Sequence, residues 1–134
     1  MLKKLSIVDL ISAMQNQIEM NTDYKCVDNP VNEPSPFYYI ELANKEEANT
    51  KTMYCEKFSV LVHIISEPYK GNTQNYDMIT QLEEAMTEEL LLPEPYTVIA
   101  QTESGVNARQ TDETGEKHTV ILFEIKVCYD YKIK

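Results

Sequence analysis

Between Glu56 and Ser66 the chain alternates: Phe58, Val60, Val62 and Ile64 share one side of an extended segment, and Lys57, Ser59, Leu61, His63 and Ile65 share the other. This predicts a strand from about Thr52 to Ser66. Its length points to a bend or bulge. A second alternation over Lys117–Tyr131 places Thr119, Ile121, Phe123, Ile125 and Val127 on one face, and His118, Val120, Leu122, Glu124, Lys126 and Cys128 on the other. Shorter alternations predict strands at Phe37–Leu42 and Tyr96–Glu103. Helical spacing appears twice. Over residues 6–20, Ile7, Leu10, Ile11, Met14 and Ile18 form one stripe, with Ser6 and Asp9 resembling a capping box and Gln15, Gln17 and Glu19 expected to face water. Over residues 73–91, Ile79, Leu82, Met86 and Leu90 form a second, widened by Met78 and Ala85. Asn72 or Thr73 can cap that helix, Pro93 and Pro95 stop it, and Glu88 and Glu89 are tolerated near the negative end of its dipole.

Three polar stretches separate these elements and read as flexible: 21–36, 43–51 and 104–116. The first is broken by Pro30, Pro34 and Pro36, with Tyr24 and Val27 able to tack it to the body. The order helix, strand, strand, helix, strand, strand predicts a single α+β domain spanning residues 1–134. Its four-stranded sheet is antiparallel or mixed, with two main helices on the face bearing Phe58, Val60, Phe123 and Ile125. The other face sets Leu61, Ile65, Val120 and Leu122 beside His63, Glu124 and Lys126. A half-apolar outer face on a small domain suggests a partner surface.

Charge narrows the function classes. The 134 residues carry 22 acidic and 12 basic side chains, a formal net charge of −10. Gripping nucleic acid or an anionic membrane requires clustered Lys and Arg, so neither is expected. The Met1-Leu-Lys-Lys start is followed by no long apolar run, so no signal peptide is expected, and no stretch is apolar enough to span a bilayer. Cys26, Cys55 and Cys128 make an odd count without a Cys-x-x-Cys. That reads as free thiols in a reducing compartment, although Cys55 and Cys128 come near each other if their strands pair.

Catalytic chemistry finds little support. His63 and His118 are the only histidines; they lack metal-ligand spacing and read as ordinary sheet residues that could meet across paired strands. Glu46-Glu47, Glu83-Glu84 and Glu88-Glu89 read as solvated faces rather than an acid–base pair. Cys26 has only Lys25 nearby to activate it. There is no Gly-rich phosphate loop, no Gly-x-Ser-x-Gly and no EF-hand loop. No enzyme activity, cofactor or metal is expected. The nine tyrosines suit strands and interfaces alike.

Several phrases then combine: Pro36-Phe-Tyr-Tyr-Ile-Glu-Leu42, Lys57-Phe-Ser-Val-Leu-Val-His-Ile-Ile-Ser66, a helix ending Leu90-Leu-Leu-Pro93, Thr97-Val-Ile-Ala100, a polar loop with Arg109 and Asp112, and Gly115-Glu-Lys-His-Thr-Val-Ile-Leu-Phe-Glu-Ile-Lys-Val127. Over nearly its whole length the chain resembles the tail-terminator (tail-completion, head-to-tail joining) proteins of long-tailed bacteriophages, with a Bacillus siphophage the nearest likeness. The resemblance implies a structural virion protein at the head–tail interface, made in the host cytoplasm. It would form a homo-oligomeric, hexameric ring that caps the tail tube and docks on the head-connector stopper, with DNA traversing the lumen. An acidic lumen would repel phosphate and let DNA slide. By analogy the loops would contact neighbouring layers. This makes Arg109, Asn107, Asp112 and Glu113, with Lys45, Glu46 and Glu47, candidate assembly residues, and the outer face adds Leu61, His63 and Ile65. Like-charged subunits would stay monomeric until assembly. The alternative reading is a small acidic cytosolic binding module or adaptor.

Overall fold

The computed structural model describes residues 1–132, apart from the side chain of Asn107. The order is α1 (Ile7–Asn21), β1 (Cys26–Val27), β2 (Phe37–Glu47), β3 (Met53–Ile65), α2 (Thr73–Ala85), β4 (Val98–Thr111) and β5 (Lys117–Tyr131). The strands form one five-stranded sheet in the order β1-β2-β3-β5-β4. The expected four-stranded sheet thus gains a fifth member. β1 pairs with β2 in parallel, Cys26 opposite Tyr38, which makes the sheet mixed. A two-residue strand carries no periodicity of its own and forms only because the proline-rich connector is laid along β2.

Both helices cover the face predicted from alternation. Phe58, Val60, Val62 and Ile64 of β3 and Ile121, Phe123, Ile125 and Val127 of β5 are buried there with Leu10, Met14 and Ile18 of α1 and Met78 and Leu82 of α2. Ser6 caps α1, its side chain accepting from the Asp9 N–H. The anticipated bulge in the long strand falls between Tyr54 and Cys55. That bulge sets Cys55 opposite Cys128, Cα to Cα 3.9 Å, and the two are joined as a disulfide. The free-thiol reading is therefore corrected. Only Cys26 is free, and burial, helped by Glu19 and Asp28, pushes its thiol up to about 12.

Three further expectations change. First, α2 stops at Ala85 rather than residue 91. The carbonyls at its end and just past it are claimed by other elements: Gln17 Nε2 donates to Ala85 O and Glu88 O, and Gln101 Nε2 donates to Met86 O and Glu88 O. Glu88 and Glu89 thus lie beyond the helix, and the acidic side chains in its last turn are Glu83 and Glu84. Second, Gln15 and Glu19 do not simply face water; they bond the carbonyl and the N–H of Cys26, holding β1 in place. Tyr24 does tack the connector down, donating to Asp77 at 2.8 Å and packing edge-on against Tyr38. Third, the other two segments read as flexible contain strand as well. β2 continues through Glu47, and β4 runs to Thr111, leaving a turn at 112–116. That turn is closed by Asp112 N–H to Glu116 O at 2.7 Å and Gly115 N–H to Asp112 O at 2.9 Å. Gly115, at φ +87°, supplies the left-handed conformation it needs.

Candidate assembly surface

The face of β2, β3, β5 and β4 turned away from the helices carries no covering layer. Register builds it row by row. Glu41, Leu61 and Leu122 lie in line across β2, β3 and β5; the next row is Tyr39, His63, Val120 and Ala108; then come Ile65, His118 and Gln110. Leu61, Val120 and Leu122 are half-buried and stand outside the main core, whereas His63 and Ile65 are buried by their neighbours.

A polar line crosses this apolar patch. His63 Nε2 lies 2.6 Å from Glu41 Oε1, and His63 Nδ1 lies 2.8 Å from His118 Nε2. Tyr39 stacks on the His63 ring at 4.2 Å, 15° from parallel. On the far side, His118 Nδ1 is 3.9 Å from Asp112 Oδ2. A proton on His63 Nε2, directed at the Glu41 carboxylate, leaves Nδ1 as the acceptor of the His118 Nε2 proton. Burial, reinforced by His63 and opposed by Asp112, pushes the His118 pKa down. Beyond Leu61 the patch ends in charge. Lys57 Nζ bridges Glu46 at 3.1 Å and Glu124 at 3.3 Å, and the bonds from those two carboxylates raise its pKa.

The sequence candidates distribute as follows. Leu61, His63 and Ile65 do share this face. Lys45, Glu46 and Glu47 belong to β2 rather than a loop, with Lys45 paired to Glu56 at 3.5 Å and Glu46 to Lys57. Asp112 and Glu113 sit in the β4–β5 turn, where Asp112 faces His118. Arg109 also lies on a strand, not in a loop. It points to the helix side, bonding Asn72 Oδ1 at 3.3 Å and Asn75 Oδ1 at 3.2 Å and stacking on Tyr76. Asn107 is in β4, with its side chain outside the described residues. Glu41 and Tyr39 were missed. Their signal was present in the alternation of Phe37–Leu42, which already put them on the face opposite Tyr38 and Ile40. Among the described residues, no group of three or more His, Cys, Asp or Glu is placed to hold a metal.

The fold is similar to that of a chain in a solved structure described as the virion of a native gene transfer agent particle, with a TM-score of 0.68 at 15% sequence identity, covering 90% of this chain and 96% of that one. No curated protein sequence matches. A family model described as a putative tail termination protein matches residues 1–134. The chain therefore belongs to the phage tail terminator family, and it is a structural protein of the virion tail.

Proposed function

We propose that this tail terminator works as a homo-oligomeric ring, hexameric in the family's manner, that caps the tail tube and joins it to the stopper of the head connector. The observation carrying this reading is the uncovered sheet face. Leu61, Val120 and Leu122 form an apolar strip flanked by a His63–His118 line and a Lys57–Glu46–Glu124 cluster. An apolar centre with a charged rim is the anatomy of a protein interface. The net charge of −10 suits a lumen through which DNA passes without being held. Repulsion among such subunits keeps the free chain monomeric until the tail end supplies a template.

The test is a deletion of the gene in its phage, complemented in extracts with the purified chain. Separate heads and tails are expected, with joining restored on addition. Normal joined particles from the deletion would overturn the proposal.

A further inference from the structure

At the end of the sheet where α2 begins, two cations share a cavity that no carboxylate lines among the described residues. Arg109 pairs in register with Thr119, and Thr111 with Lys117, so all four stand on the helix side. Together with Asn72 and Gln110 they line a cavity of about 150 Å³. Neither cation forms an ion pair with any described carboxylate, although acidic side chains outnumber basic ones 22 to 12.

What these groups do bond is neutral. Both hydrogen bonds of Arg109 leave from Nη2, to two amide oxygens, and its guanidinium is fixed 4.9 Å above the Tyr76 ring. Among the described residues, Lys117 Nζ donates to Thr111 Oγ1, at 3.4 Å. The Asn72 side chain, bonded to Arg109, does not cap α2, and the first turn of that 13-residue helix carries no acidic residue. Its leading N–H groups have no helical acceptor, and the positive end of the helix dipole stands beside the two cations. Behind the cavity wall lies Asn75, 0% exposed. Its Oδ1 is filled by Arg109 and by Thr119 Oγ1 at 2.8 Å, while its Nδ2 is buried without an acceptor. Two cations without an ion pair among the described residues and an uncapped helix start meet at this cavity, and an oxyanion there would satisfy both.

We infer that this cavity receives a carboxylate from an acidic side chain of a second copy of this chain. The inference rests on the ring reading. The cavity has room for a carboxylate, the surplus of acidic side chains on each copy supplies one, and the overall charge of −10 opposes the approach of a polyanion such as DNA.

The experiment titrates the full chain with sodium acetate at constant ionic strength, following amide resonances by ¹⁵N NMR, with inorganic phosphate in a second arm. Saturable shifts are expected at the backbone amides of Thr73, Gln74 and Asn75 and at the Asn75 side-chain amide. They should persist in Lys117→Arg and weaken at least threefold in Lys117→Gln. No saturable shift in the unaltered chain would overturn the site. Phosphate binding at least tenfold tighter than acetate would overturn the carboxylate assignment. Lys117→Glu chains should remain folded and fail to join heads to tails; joining at the normal level would overturn the second copy as the source. Should the ring reading itself fail, the acetate titration would still report the site.

Discussion

His63 Nδ1 and His118 Nε2 stand 2.8 Å apart on the uncovered sheet face, and a bond between two imidazoles exists only while one of them offers a lone pair. The line from Glu41 through His63 and His118 toward Asp112 therefore depends on the pair not being doubly protonated.

The first prediction follows from His118. Its folded pKa lies below the ordinary 6.5, chiefly through burial, with His63 adding to the shift and Asp112 opposing it. The unfolded chain then binds more protons in this window, so stability is fully present above 6.5 and declines as pH falls toward the folded pKa. Thermal unfolding at successive pH values should show this decline, and His118→Gln should flatten it.

An opposite dependence comes from Glu103. Burial, with a hydrogen bond and repulsion from Glu83, raises its carboxyl to about 7. Here the folded state binds more protons, so this contribution to stability is lost as pH rises from the ordinary carboxyl range through 7. Glu103→Gln should melt higher than the unaltered chain at pH 8 and close to it at pH 5. Equal melting differences at both values would refute the assignment.

The Cys55–Cys128 bond closes a sequence separation of 73 residues between neighbouring central strands. Reduction, or Cys55→Ser with Cys128→Ser, should cost about 2–4 kcal/mol through the freedom regained by the unfolded chain. Urea denaturation with and without reductant measures it, and the double variant should be indifferent to reductant.

Glu56 is a buried carboxylate, 4% exposed, receiving the Tyr129 hydroxyl at 2.6 Å and facing Lys4 and Lys45 at 3.5 Å each. Both lysines are partly exposed, so the ion pairs contribute little and the hydroxyl bond matters more. Glu56→Ala should cost about 1–3 kcal/mol by stranding the Tyr129 hydroxyl, readable in the same denaturation series. Tyr129→Phe should be destabilising too, and the two changes should be less than additive.

Leu61 and Leu122 face each other across β3 and β5, half-buried and outside the helix-covered core. Leu61→Gln with Leu122→Gln should leave unfolding within about 1 kcal/mol of the unaltered chain while abolishing head–tail joining in the complementation assay. Full joining would remove this face from the assembly surface.

The two long central elements were legible because regular alternation and burial coincide in them: Phe58 to Ile64 and Thr119 to Val127 face one cover without interruption. β4 was not. Val98, Gln101, Glu103, Val106 and Arg109 share the helix side, but register breaks between Val98 and Ala100, Glu103 and Val106, and Val106 and Ala108 destroy the period of two on which alternation depends. Beyond Glu103, with polar residues such as Asn107, Arg109 and Gln110, the segment reads as a loop. β2 was cut short for a related reason. Asn44 to Glu47 are polar, and what keeps them extended is backbone pairing with Ser59 to Glu56, together with charge pairing across the same strands.

By itself the sequence determined the class of fold, the helix-covered face of the sheet and the existence of a second, half-apolar face, because these depend on local period and on how much apolar surface must leave water. Tertiary structure alone decided which polar groups meet. A bulge brought Cys55 to Cys128, diagonal strand neighbours brought His63 to His118, and a bulged edge strand carried Arg109 onto the start of α2. Each depends on register between segments far apart in the chain, and register is set by the packing of the whole sheet rather than by any one stretch of residues.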